Sequence, residues 1–220
     1  KALPSNVDVS LSEGLILALL KQGVRKYFAI FGHGSTDFAE VLRIYEECGV
    51  TKTYNFKNEV EMAHAATALS WQYKEIPAVV TSIGPGGLQA MAGSLAASSN
   101  GVGVYHIYGD ETTYGEGFNM QQIPKNEQDL YGKITALMSE SYVFHTPEAL
   151  REGMRRGYLK TKNPTKAGPF YCLLPNFSLG PFVHILYISI PTFSFLLFRL
   201  FLSFVNAFTA FVFYVLFFFF

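Results

Sequence analysis

The sequence predicts an α/β protein built on a doubly wound, six-stranded, mainly parallel sheet with helices on both faces. Three observations carry this. Strand-like runs and helical patterns alternate six times between residues 10 and 174. Several of the runs are solidly apolar, as in strands covered on both faces. The residues of unusual chemistry collect where strands end and helices begin, which is where open α/β sheets bind ligands. No internal repeat is present.

Each element has its own local reason. Residues 10–22 read as a helix, with Ser10 or Ser12 as cap, an apolar face from Leu15 to Leu20, and Gly23 as the stop. Residues 27–31 form a continuous apolar run, the first buried strand. Gly32-His33-Gly34 turns the chain, and Ser35 or Thr36 caps a helix to about Glu47. A short strand follows at 50–55, then a helix at 59–73 with Ala and Met on its packing side. Residues 77–82 are a second buried strand, leading through Gly84-Pro85-Gly86 into a helix of small residues, 86–99. The third buried strand is 102–108, ending in Gly109-Asp110. Residues 111–127, polar and rich in Gly and Gln, read as a long loop of the kind that tends to be functional. A short helix at 129–138, a strand at 141–144, a helix begun by Thr146-Pro147-Glu148 and a last strand at 169–174 complete the series.

Composition excludes some function classes. The 17 basic and 17 acidic residues balance, and no Lys/Arg run is interleaved with aromatics, so nucleic-acid binding is not expected. Cys48 and Cys172 lie far apart and read as free, buried thiols of a reducing compartment. The first residues lack the apolar stretch and small-residue cleavage site of a secretory signal. No zinc-ligand set, Ser/His/Asp constellation, Walker loop or dinucleotide GxGxxG occurs, and no metal ligands are expected.

Four places at strand ends bear chemistry. Glu59 opens the helix at 59–73. It reads either as a favourable first-turn acid or as a carboxyl placed to exchange a proton with a bound ring nitrogen or hydroxyl. Glu61 reads as a solvated helix charge. Gly84-Pro85-Gly86 permits a sharp turn and close backbone approach to a ligand, with free N–H groups of the next helix pointing outward. His33, between two glycines at a strand end, is a candidate for facing a pocket, whereas His64 reads as a packing residue and His106 as core. Gly109-Asp110 ends a strand on the same edge. Convergence of all four on one edge implies a shared cleft.

In order and spacing, these motifs resemble the N-terminal, pyrimidine-binding domain of thiamine-diphosphate-dependent enzymes of the acetolactate-synthase-like group, nearest to the trihydroxycyclohexanedione hydrolases of inositol breakdown. The matching pieces are Ile30-Phe31-Gly32-His33-Gly34, Lys57-Asn58-Glu59 with Ala63-His64-Ala65-Ala66, Thr81-Ser82-Ile83-Gly84-Pro85-Gly86, and Gly109-Asp110. The likeness covers roughly residues 8–178. It implies that Glu59 is the catalytic carboxyl, hydrogen-bonding N1′ of the aminopyrimidine and promoting the tautomer that takes the proton from the thiazolium carbon. It implies that Gly84, Pro85, Gly86 and Gln89 border the pyrimidine; relatives often carry Asn where Gln89 stands. Gly32, His33 and Gly34 become substrate-side candidates. A carboxyl held neutral by desolvation is suited to donating to a ring nitrogen.

The resemblance also implies a missing half. The family's diphosphate site, with Mg²⁺ and a Gly-Asp-Gly…Asn motif, belongs to a further domain that this sequence lacks. The expected partner is therefore the diphosphate-binding domain of another chain, or a homo-oligomer of a longer enzyme. The chain alone is expected to be inactive, as a lyase, transferase or hydrolase fragment. A pyrimidine-domain subunit of a two-chain decarboxylase and a non-catalytic, membrane-attached α/β protein are the alternatives. Localisation is expected to be cytoplasmic by resemblance.

Residues 1–180 are expected to form the domain, and 181–220 a hydrophobic tail. The tail carries one charge, Arg199, and 13 of the chain's 21 Phe residues. Residues 200–220 are uncharged and long enough to span a bilayer. The two readings are a membrane anchor and a mis-translated segment.

Overall fold

The computed structural model describes residues 6–82, 84–110, 130–175 and 182–186. Seven helical segments and eight strands occur among them. The elements in order are β1 (Asn6–Ser10), α1 (Leu11–Lys21), β2 (Lys26–Ile30), α2 (Thr36–Glu47), β3 (Lys52–Asn55), α3 (Glu59–Tyr73), β4 (Ala78–Thr81) and α4 (Pro85–Ser99). They continue with β5 (Val104–Asp110), α5 (Leu130–Met138), β6 (Glu140–Val143), a 3₁₀ turn (Pro147–Ala149), α6 (Leu150–Thr161), β7 (Pro169–Pro175) and β8 (Phe182–Leu186). The segment expected as a loop at 111–127 and most of the tail, 187–220, lie outside the described residues.

Six strands form one sheet in the order β3-β2-β4-β5-β7-β6, and every neighbouring pair is parallel. The expected fold class is therefore observed, with the sheet wholly parallel. The solidly apolar strands are its interior: β4 and β7 are buried at every residue. The exposed strand β3 is the edge, where polar side chains suit a strand with one open side. Two strands were not foreseen. β1 and β8 pair in a separate two-stranded sheet, and β8 lies in the stretch expected to belong to the tail.

The compact unit Asp8–Val183 carries the six-stranded sheet and its helices. Helix α3 packs on α4, and α4 on α5; α1 packs on α2 and α6. Alternation of side chains along each strand divides the core accordingly. Phe28, Val79, Val104, Tyr108 and Tyr171 join Met62, Ala66 and Ala90 of α3 and α4 in one cluster. Each large apolar side chain fully buried here contributes about 1.5–3 kcal/mol.

Local sequence explains the helix starts. Ser10 caps α1, its hydroxyl accepting from the Glu13 N–H at 3.2 Å. Ser35 holds the N-cap position of α2, as expected of Ser35 or Thr36, but makes no side-chain cap bond: its hydroxyl accepts from the Gly32 N–H at 3.2 Å and donates to the Gly32 carbonyl at 3.1 Å. It closes the turn after β2 on itself. Both cysteines are free; Cys172 is buried, but Cys48 is only partly so, because it follows α2 at the surface rather than packing under it. No helix among the described residues is long and apolar enough to cross a membrane.

Candidate functional site

The strand order reverses between β2 and β4. The chain leaves β2 toward β3 on one side and leaves β4 toward β5 on the other. In such a sheet the carboxyl ends of the strands at this reversal are the expected ligand position. The loop 32–35 follows β2 at this edge, and the turn 82–86 follows β4.

Helix α3 starts at the same edge because Asn58 caps it. Asn58 is extended (φ −147°, ψ 133°), and its side-chain oxygen accepts from the N–H groups of Val60 at 2.9 Å and Glu61 at 3.1 Å. The cap thereby satisfies two free donors of the first turn. Glu59, the first helical residue, is left out of the capping and makes no hydrogen bond or ion pair with any described residue. Its carboxyl is half-buried, so the full desolvation expected of it is not met within this chain.

Helix α4 starts on Gly84, which has φ 57° and ψ −111°. Only glycine adopts that conformation without strain. Pro85 then occupies the first helical position, where its missing N–H costs nothing. No side chain caps this helix. The Leu88 N–H reaches the Gly84 carbonyl at 3.1 Å, so the earlier N–H groups, on Gly86 and Gly87, have no acceptor within the helix.

The two starts meet at Gly86. A Cβ placed on Gly86 would stand 3.3 Å from Glu59 Oε1 and 2.8 Å from Ser82 Oγ. Glycine at this position is what lets the carboxyl lie against the α4 backbone. The approach is held by close packing of the two helices: a Cβ on Gly93 would lie 2.6 Å from the Val60 carbonyl oxygen and 2.8 Å from Ala63 Cβ. The loop after β2 closes in from the other side. A Cβ on Gly32 would stand 2.8 Å from Ser82 Cβ, and one on Gly109 would stand 2.7 Å from the Gly34 backbone. The four places singled out in the sequence are therefore linked in space: Glu59 and Ser82 converge at Gly86, Ser82 meets Gly32, and Gly34 meets Gly109. Ile83 lies outside the described residues.

Among the individual residues, Gly34, Gly84 and Gly86 are buried, Gly32 is partly buried, and His33, Pro85 and Gln89 are exposed. Glu61 is exposed as expected. His64 is exposed as well, contrary to its expected packing role. The buried side of α3 runs through Met62, Ala63, Ala66, Thr67 and Ser70, and position 64 falls outside that stripe. His106 is core as expected. It is fully buried, shares a 3.0 Å hydrogen bond between Nδ1 and the Tyr108 hydroxyl, and is pushed down to about 3 by burial. The same Tyr108 ring supports the first turn of α4, since a Cβ on Gly87 would meet it at 3.3 Å.

Sequence reasoning did not single out Asn58 as the cap or Ser82 as the hub. An Asn directly before an acid-rich helix start was the available signal for the first. Nothing local marked the second, because its position depends on three separate loops. No group of three or more His, Cys, Asp or Glu side chains suited to a metal ion occurs among the described residues.

A half-buried carboxyl without a partner among the described residues, set against Gly86 at the carboxyl ends of the strands, can meet one edge of a nitrogen heterocycle. Residues 9–130 match the family described as thiamine pyrophosphate enzyme, N-terminal TPP binding domain. The chain is 34% identical over 155 residues to a 3D-(3,5/4)-trihydroxycyclohexane-1,2-dione hydrolase of Bacillus subtilis (strain 168), covering 66% of this chain and 24% of the relative. It is 35% identical over 156 residues to the protein of the same name from Bacillus licheniformis, with the same coverage of each. It is 32% identical over 155 residues to that of Shouchella clausii (strain KSM-K16), again covering 66% and 24%. The chain thus matches about a quarter of the length of these relatives.

Proposed function

The chain belongs to the thiamine pyrophosphate enzymes through their N-terminal TPP binding domain, and from that premise we propose that it supplies the aminopyrimidine half of a thiamine diphosphate site. Glu59 addresses the ring nitrogen N1′ and holds or releases a proton there. Gly84, Pro85 and Gly86 form the wall against which the ring lies, with Gln89 at its border. Gly32, His33 and Gly34 face the substrate. The single observation that carries this is the approach of Glu59 Oε1 to 3.3 Å from the Cβ position of Gly86. Any side chain at 86 would take the space that the carboxyl and a flat ring share. Thiamine diphosphate, when bound, supplies a nucleophilic carbon for attack on a carbonyl. The chain's residues bind and orient the pyrimidine and manage the proton at N1′.

The relatives' names support a trihydroxycyclohexane-1,2-dione as the substrate class and hydrolysis as the reaction of the whole enzyme. The diphosphate and Mg²⁺ are held by a domain outside this chain, carried by a longer form of it or by a partner. Support comes from the outer side of α4. Helix α4 has no charged residue and leaves Leu88 and Leu95 exposed. An uncharged helix with exposed leucines, starting at the half-site, suits coverage by a further domain. In this reading residues 1–180 act as the domain and 181–220 as a segment apart from it.

Alone, the chain neither retains thiamine diphosphate tightly nor turns over substrate. Calorimetry of the purified chain with cofactor and Mg²⁺ tests this. The expected dissociation constant is weaker than micromolar, and sub-micromolar binding would refute the half-site reading.

A further inference from the structure

Ser82 leads out of β4 exactly where the strand order reverses, and nothing above assigns it a role. Its side chain is partly buried. Its Oγ lies 2.8 Å from the Cβ position of Gly86, the same point that Glu59 Oε1 approaches to 3.3 Å. On its other flank, Ser82 Cβ lies 2.8 Å from the Cβ position of Gly32. One hydroxyl therefore sits between the loop expected to face the substrate and the turn expected to face the cofactor. The Ser82 carbonyl is used, accepting from the Thr81 hydroxyl at 3.0 Å. The Ser82 hydroxyl has no hydrogen-bond partner among the described residues. Neither has the Glu59 carboxyl. Two polar side chains from different elements thus converge on the Cβ position of Gly86 with no hydrogen-bond partner among the described residues.

A partly buried hydroxyl with no partner among the described residues is open to a ligand that covers it. A space-filling role alone would be met as well by alanine. We propose that Ser82 is a ligand-contacting residue of the half-site, its hydroxyl hydrogen-bonding the same heteroaromatic ring that Glu59 addresses. This rests on the half-site reading given above. The pair then recognises a flat nitrogen heterocycle at two points, a carboxyl and a hydroxyl, and Gly32 and Gly86 are glycines partly because the hydroxyl must stand between them.

The test uses the 220-residue chain and thiamine as the probe, with binding followed by ligand-observed NMR and stability by urea unfolding. Thiamine lacks the diphosphate, so its binding reports on this half of the site. The expected result is saturable binding in the millimolar range, weakened about two- to ten-fold by Ser82→Ala, the loss that one hydrogen bond to a neutral group represents. The unfolding midpoint should stay unchanged, because the hydroxyl has no partner in the chain to lose. Glu59→Gln should also weaken binding. Unchanged affinity in S82A with reduced affinity in E59Q overturns the assignment of Ser82 and leaves the half-site reading intact. A loss of stability in S82A that accounts for its loss of affinity makes Ser82 a packing residue and overturns the proposal. Absence of saturable binding by the unmodified chain, or binding that neither variant alters, overturns the half-site reading and this proposal together.

Discussion

Replacing Gly86 with alanine isolates the contact on which the site depends. The helical position would ordinarily favour the change, since alanine exceeds glycine by up to about 1 kcal/mol in a helix. Gly86 is not among the glycines with positive φ, so the backbone accepts a side chain. The new methyl, however, would stand 2.8 Å from Ser82 Oγ and 3.3 Å from Glu59 Oε1. The third neighbour, Thr81 Cβ, is at an ordinary 3.7 Å. Overpacking of this kind costs about 1–3 kcal/mol. The net expectation for G86A is a destabilisation of up to about 2 kcal/mol, the overpacking less the propensity gain. The conflict is chiefly with the Ser82 hydroxyl. In an S82A background the same substitution should therefore be neutral or stabilising by up to about 1 kcal/mol. The assay is a four-member double-mutant cycle by urea denaturation, which reads the coupling of the two positions directly. Additive effects, with G86A changing stability equally in both backgrounds, would refute the placement of Ser82 and Gly86 against each other.

Three further outcomes are expected. Gly93→Ala should cost about 3 kcal/mol, at the upper end for overpacking. Its methyl would lie 2.6 Å from the Val60 carbonyl oxygen, and a helix backbone cannot move aside as a side chain can. A shift in urea midpoint measures this, and a stabilised variant would contradict the close α3–α4 packing. Glu59→Gln should leave stability within about 1 kcal/mol of the unmodified chain, since a first-turn acid contributes only a few tenths to 1 kcal/mol; a large loss would make Glu59 a structural residue. Stability should also fall on the acid side of neutrality through His106, which is neutral and buried in the folded state, with its pKa lowered to about 3 by desolvation. The unfolded chain binds this proton below about 6.5, so the contribution is fully present above that pH and is lost progressively as pH falls toward 3. The loss is about 1.4 kcal/mol at one pH unit below the unfolded value. His106→Phe should flatten the profile of unfolding midpoint between pH 7.5 and 5, and an unchanged profile would contradict the assignment.

Much of the fold was legible because each strand and helix announces itself locally. The apolar runs that became β2, β4, β5 and β7 are bounded by glycine, proline and capping residues, so their ends were placed within two residues. Edge and accessory strands were harder. β1 and β8 lie outside the βα alternation, and β8 sits in an apolar stretch whose composition says nothing of pairing. His64 was misplaced because α3, with alanine on several sides, has no strong apolar stripe from which to read its buried face. Of the two caps foreseen for α2, Ser35 or Thr36, Ser35 takes the position, yet its hydroxyl serves the turn at Gly32, which residue type alone does not reveal. The site was legible as four motifs on one edge. That they touch was not, because Glu59 reaches Gly86 only through helix packing at Gly93, and Gly32 reaches Ser82 only through adjacent strands.

The most direct test of the central claim is cofactor retention in a completed site. The chain would be mixed with the diphosphate-binding region of a trihydroxycyclohexanedione hydrolase relative lacking its own N-terminal domain, in the presence of Mg²⁺ and thiamine diphosphate. Bound cofactor would then be measured after gel filtration. The account predicts retention with the unmodified chain and its loss with Glu59→Gln, although both chains remain folded. Equal retention by the two would contradict it.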